Sequence, residues 1–195
     1  MKSSPDNARH LCVDMQVMFV ETSEWQMPWA EKVLRQVEEL AFAYPARTIF
    51  TRFMPVRSVE DAIGTWRDYY RKWPQFTLEN IQPGLVDLVP SLKAVCPPAV
   101  VFDKLVYSPW IDGRLNRYLR DNGVDTLVIS GGETDVCVMA TVLGAVDLGY
   151  SIVLVKDALC SSTDNTHDAS LELLAERFSV QVDLVDTAAV RAWWR

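Results

Sequence analysis

Residues Asp125 to Gly149 read DTLVISGGETDVCVMATVLGAVDLG, an apolar run that meets a glycine pair and passes directly into a second apolar stretch carrying one cysteine. Asp125 to Ser130 is rich in aliphatic and β-branched residues and uncharged after Asp125, which predicts a buried strand. Thr134 to Gly149 predicts a helix with Thr134 or Asp135 as N-cap. Cys137 then falls in the first turn, where unpaired N–H groups and the positive end of the helix dipole favour thiolate over thiol. Taken alone, Cys137 reads equally well as a buried small apolar side chain, the usual role of a free cysteine.

Two other strands end in charged residues. His10 to Asp14 (HLCVD) delivers Asp14, and Ala99 to Asp103 (AVVFD) delivers Lys104. In a parallel sheet the ligand site lies beyond the carboxyl ends of the strands, so an acid, a lysine and a cysteine can share one crevice there.

These residues fall into three motifs, D-x-Q-x-x-F at Asp14, Gln16 and Phe19, K-x-x-x-S at Lys104 and Ser108, and G-x-x-T-D-x-C at Gly131, Thr134, Asp135 and Cys137. In this order and spacing the chain resembles the isochorismatase-like cysteine hydrolases, a family that includes nicotinamidases, N-carbamoylsarcosine amidases and ureide hydrolases. The resemblance implies a three-layer α/β/α fold and an Asp14–Lys104–Cys137 triad. It also implies a cis peptide at Gly132–Glu133 and an oxyanion hole formed by the N–H groups of Glu133 and Cys137. Glu133 stands where the family often has alanine, so its side chain is expected to point away while its backbone works. Phe19 matches an aromatic residue that flanks the substrate in nicotinamidases and reads equally as core.

Nicotinamidases also place an aspartate and histidines at the end of the second strand, where they bind a metal ion. Here the second strand, Arg47 to Phe53, runs through Thr51, Arg52 and Phe53 into Met54, and no histidine occurs between His10 and His167. A metal-free amidase without cofactors is the expectation.

The remaining sequence fits a small-molecule enzyme. With 195 residues, 49% of them hydrophobic, one domain with a sizeable core is expected over residues 1–195. A net charge of −7 with no basic stripe argues against nucleic acid or an anionic membrane as partner. Cys12, Cys96, Cys137 and Cys160 form no C-x-x-C pair and no metal spacing with the two histidines, which suggests a reduced, cytoplasmic protein. The opening MKSSPDNARH lacks the apolar core of a signal peptide, and no 18-residue apolar run occurs. Cys160 reads as core and His167 as a structural hydrogen-bonder.

Pro28 opens a helix whose apolar residues Val33, Val37, Leu40 and Ala41 recur at helical spacing. Gln16 to Glu24 is expected as a loop, Leu85 to Ala94 as a short helix interrupted by Pro90, and Gly113 to Asp121 as a helix. Strands Ser151 to Val155 and Val180 to Val185, with helices Asn165 to Phe178 and Asp186 to Arg195, complete six strands alternating with helices, a doubly wound parallel sheet. Gly64 to Trp73 (GTWRDYYRKW) is dense in aromatics and arginine, which suits a subunit contact in a homo-oligomer, dimer or tetramer, or a Trp66 that reaches the site. Trp25, Tyr107 and Trp110 follow the strands that deliver Asp14 and Lys104 and complete a candidate aromatic wall. Arg52 and Arg57 are candidates for gripping a substrate carboxylate.

The combined expectation is hydrolysis of an amide, carbamoyl or ureide C–N bond through a thioester. Two alternatives keep the fold: an ether-cleaving isochorismatase, which generally lacks the cysteine, and a catalytically silent binding or assembly protein. A dinucleotide-binding domain does not fit, because no strand is followed by G-x-G-x-x-G.

Overall fold

The structure is a computed structural model that describes residue 1 and residues 4–21 and 23–194. The middle of the Gln16–Glu24 loop and the last residue of the terminal helix therefore lie outside the described residues. Six strands form one parallel sheet: β1 (Ala8–Val13), β2 (Thr48–Phe53), β3 (Val100–Lys104), β4 (Thr126–Gly132), β5 (Ser151–Cys160) and β6 (Val182–Val185). Their order is β3-β2-β1-β4-β5-β6. The order reverses between β1 and β4, the place where a doubly wound sheet opens a crevice beyond its strand ends.

Helices α1 (Val17–Val20), α2 (Ala30–Ala43), α3 (Trp66–Lys72), α4 (Pro90–Lys93), α5 (Arg114–Asp121), α6 (Met139–Asp147), α7 (Asp164–Arg177) and α8 (Thr187–Trp193) connect or flank the strands. Alternate residues of the central strands feed two cores. Cys12, Phe50, Val128 and Val153 pack under α2, α4 and α8, while Leu11, Ile49, Ile129 and Leu154 pack under α5, α6 and α7. Covering both faces explains why the strands read as continuous apolar runs and not as alternating ones. All seven residues of β4 are buried, and each large aliphatic side chain so removed from water contributes about 1.5–3 kcal/mol.

Four expectations change. The region after β4 is not one regular helix: Thr134–Val138 forms a π-helical turn that continues into α6. The stretch after Asp14 folds into the single turn α1, held by Val17 and Met18 amides that donate to the carbonyls of Asp87 and Leu85. The helix near Leu85 begins only at Pro90, which has no N–H to donate and occupies its first position. β5 runs five residues past Val155 to Cys160, through a register shift against β4. Lys156 and Asp157 break the apolar run in sequence, and Asp157 turns out to receive the Thr187 amide and hydroxyl at the start of α8 (2.8 and 2.9 Å).

Candidate active site

Asp14 stands immediately after β1 with φ +50°, a left-handed conformation that aspartate tolerates better than most side chains. Its neighbours are fixed by Gln16, whose buried amide donates to the Phe53 and Val86 carbonyls (3.0 and 2.7 Å) and accepts from the Phe53 N–H (2.7 Å). The chain leaving β1 is thereby tied to the end of β2. Thr51 on β2 donates its hydroxyl to Asp14 Oδ1 at 2.6 Å, and Lys104 at the end of β3 places Nζ 2.6 Å from Oδ2. Both charged groups are buried.

Lys104 Nζ also donates to the Val106 carbonyl at 3.2 Å and to Cys137 Sγ at 3.5 Å. Acid, lysine and thiol therefore meet in one place. Burial opposes the charge on Lys104, but the adjoining Asp14 carboxylate and Cys137 sulfur hold its pKa above the usual lysine value. At Cys137 the balance runs the other way. Burial and then the Asp14 charge push the thiol well above its ordinary pKa, and the opposing pull of Lys104 is smaller. The raised pKa favours the neutral thiol, against the thiolate expected from the place of Cys137 at a helix start. Loss of hydration and a nearby carboxylate outweigh the dipole.

The turn carrying Cys137 is held from several sides. The Glu133 carbonyl accepts from the amides of Val136 and Val138, on either side of Cys137 (3.1 and 2.9 Å). Neither Thr134 nor Asp135 caps the helix. Thr134 donates to the Cys160 carbonyl (3.0 Å) and pairs with His167 Nδ1 (2.9 Å), and Asp135 accepts from Ser161. Their side chains reach across to the end of β5 instead of back onto their own helix. Gly131 has φ +104°, and a Cβ there would lie 2.1 Å from the Val13 carbonyl, so only glycine lets β4 pass this close to β1. The Gly132–Glu133 peptide is cis.

A cavity of about 310 Å³ opens beside Cys137, lined by Phe19, Trp25, Phe53, Tyr69, Trp73 and Tyr107 together with Glu24, Glu133, Val136 and Ser162. Trp25 is the hub of this wall. It stacks on Phe76 at 3.7 Å and meets Phe53 and Trp73 at steep angles. Among the proposed wall residues, Phe19, Trp25 and Tyr107 line the cavity. Trp66 sits one ring behind it, 4.8 Å from Tyr107 and 6.2 Å from Phe53.

Two candidates are placed elsewhere. The loop after Lys104 turns away, and Trp110 joins the core over α6, with Nε1 donating to the Thr141 carbonyl and its ring against Gly144. Arg52 forms a bidentate pair with Asp103 and a third bond to Asp87, so its donors are already engaged by carboxylates. Arg57 pairs with Glu79 at the surface. Glu133, expected to point away, lines the cavity with its carboxylate held by the Ser162 hydroxyl.

Sequence reading did not single out Thr51, Tyr69 or Trp73. The signal for two of them was present: in α3 and the residue after it, Trp66, Tyr69, Tyr70 and Trp73 recur at helical spacing and define one inward stripe. Arg67, Asp68, Arg71 and Lys72 are exposed. Among the described residues no three His, Cys, Asp or Glu side chains cluster so as to hold a metal ion, and the end of β2 offers Arg52 and Phe53 where donors would be needed.

A doubly wound parallel sheet whose strand ends bring acid, lysine and thiol together defines a cysteine-centred α/β protein. The Isochorismatase domain profile matches residues 9–186, and the chain belongs to the isochorismatase family. The nicotinamidase of Escherichia coli is 36% identical over 97 residues, 44% of this chain and 44% of its own length. A secreted isochorismatase effector of Phytophthora sojae is 34% identical over 82 residues, 41% of this chain and 39% of its own length. The chain thus spans less than half the length of these relatives. A cysteine hydrolase from Pseudomonas syringae pv. phaseolicola superposes with a TM-score of 0.85 at 24% identity, covering 100% of this chain and 95% of that one, a likeness of fold.

Proposed function

We propose that the protein is a cysteine hydrolase that cleaves the C–N bond of a small amide, carbamoyl compound or ureide without a metal ion. The observation that carries this reading is the contact of Lys104 Nζ with both Asp14 Oδ2 (2.6 Å) and Cys137 Sγ (3.5 Å) at the edge of an aromatic-lined cavity. Asp14 takes the thiol proton as sulfur attacks the carbonyl carbon, and Lys104 stabilises the charge that develops on sulfur. The N–H groups of Glu133 and Cys137 receive the oxyanion, a role worth about 3 kcal/mol per donor in comparable sites. Asp14 returns the proton to the leaving nitrogen as the C–N bond breaks and a thioester remains. Water, deprotonated by Asp14, then adds to the thioester and releases the acid and the free thiol.

Thr51 is assigned the task of orienting Asp14. The fixed partners of Arg52 and the packed position of Trp110 argue against either one as a substrate contact, and Trp66 supports the wall through Tyr107. Association into a homo-oligomer is proposed on a second observation. Ile63, Leu105 and Ile111 are exposed around a mainly apolar groove, and light scattering in solution tests it.

The function is tested by ammonia release from a panel of small amides, carbamoyl compounds and ureides, with Cys137→Ala and a chelator in parallel. Release lost in the variant and spared by the chelator supports the reading. Silence across the panel, with Cys137 unreactive toward thiol reagents, would favour a binding or assembly protein.

A further inference from the structure

The cavity beside Cys137 has an unusual balance of chemistry. Six aromatic rings form most of its wall, and the charged groups among its described lining residues are two carboxylates, Glu24 and Glu133. Among the described residues no arginine or lysine lines it. Lys104 approaches from below, but its charge is matched by Asp14 at 2.6 Å. The arginines that a substrate carboxylate would need are spent on Asp103, Asp87 and Glu79.

The rings are not a flat stack. Trp25 meets Phe53 at 67°, Trp73 at 72° and Tyr69 at 37°, with centroids 5.8–6.4 Å apart, and has one face covered by Phe76 at 3.7 Å, so the rings pack on one another and present their uncovered faces and edges to the cavity at different angles. Ring faces carry negative quadrupole potential and attract cations, an attraction that strengthens when water is excluded. Glu133 is half-buried at the nucleophile end with its carboxylate fixed by the Ser162 hydroxyl, and Glu24 is exposed at the mouth beside Gln75. An anion entering this space would meet two like charges and no cationic lining residue, whereas an ammonium group would meet ring faces and carboxylates.

We propose that the site selects amides or ureides whose far end is an alkylammonium group, caged by Trp25, Tyr69 and Trp73 and countered by Glu133 and Glu24. The assignment rests on the hydrolase reading for its reactive end and names the substrate class of that same site. Glu133 thereby acquires a side-chain role in specificity next to the backbone role assigned to its N–H.

The test is a matched set of three amides of equal length ending in trimethylammonium, tert-butyl or carboxylate. The cationic amide is expected to exceed the tert-butyl one in kcat/KM by about tenfold or more, chiefly through KM, with the carboxylate poorest. In Glu133→Gln the cation-to-neutral ratio should fall by about fivefold, and Glu133→Asp should restore part of it. A neutral or anionic preference, or a ratio unchanged in Glu133→Gln, would overturn the inference and leave the hydrolase reading intact. If none of the three is hydrolysed, the hydrolase reading is decided by the wider panel, and the cage is judged on binding alone. Tetramethylammonium chloride should then protect Cys137 from iodoacetamide better than sodium chloride at equal ionic strength, and less so in Glu133→Gln. Equal protection by the two salts would overturn it.

Discussion

Cys137 and Cys160 are both buried thiols at the carboxyl edge of the sheet, one just after β4 and the other at the end of β5, and each borders a cavity. Burial raises both, Cys160 to about 12 and Cys137 well above its usual value. Resting acidity therefore does not separate them. What separates them is company: Cys137 has Lys104 at 3.5 Å, itself 2.6 Å from the Asp14 carboxylate, whereas Cys160 faces Met27 Sδ at 3.7 Å and the Gly131 carbonyl at 3.9 Å. On the proposed mechanism, a nucleophile here is made by a base that can receive its proton at the moment of attack, not by a thiolate stored beforehand.

The comparison is broken most severely by removing each sulfur. Cys137→Ala should lower turnover by about 10⁴-fold or more, because the covalent route disappears. Cys160→Ala should leave turnover within about twofold and cost roughly 1–2 kcal/mol in denaturant unfolding, as a small cavity opens beside Met27. Asp14→Asn keeps the shape and the Thr51 contact but cannot accept a proton, and kcat should drop by about 10²–10⁴-fold.

Lys104→Met tests the other partner. It leaves Asp14 charged and buried without its ion pair, and should cost about 3 kcal/mol in stability as well as turnover. A pH-dependent effect sets apart the structural polar groups from the reactive ones. His10 is buried between Thr48 and Ser130, and burial lowers its pKa from 6.5 to about 3. Below pH 6.5 the unfolded chain binds a proton that the native state refuses, so stability present above 6.5 is lost as pH falls toward 3. By pH 5 the loss should be about 2 kcal/mol, and His10→Gln should flatten that slope in urea titrations between pH 7.5 and 5.

Much of the architecture was readable because both faces of the sheet are covered. Continuous apolar runs marked the central strands, and charged residues at their ends marked Asp14 and Lys104. What was hidden depends on contacts distant in sequence. The protonation of Cys137 is set by burial and by Asp14, which is 123 positions earlier in the chain, while the helix start beside it suggested the opposite. Arg52 looked available until Asp87 and Asp103 were placed around it. Trp110 follows the same strand end as Tyr107, yet three residues further on it packs on Thr141 and Gly144 of α6 instead of lining the cavity. Glu133 looked like a residue used only through its backbone until Ser162, two residues past the end of β5, was seen to hold its carboxylate on the cavity.

The account is tested most directly by alkylating all four cysteines with limiting iodoacetamide near neutral pH and following each site by peptide mass spectrometry. It predicts that Cys137 is modified about tenfold or more faster than Cys160, because Asp14 can take its proton and Lys104 stabilise its sulfur as the reagent is attacked, whereas Cys160 faces only Met27 and a carbonyl. Equal, slow modification of Cys137 and Cys160 in the folded protein would contradict it.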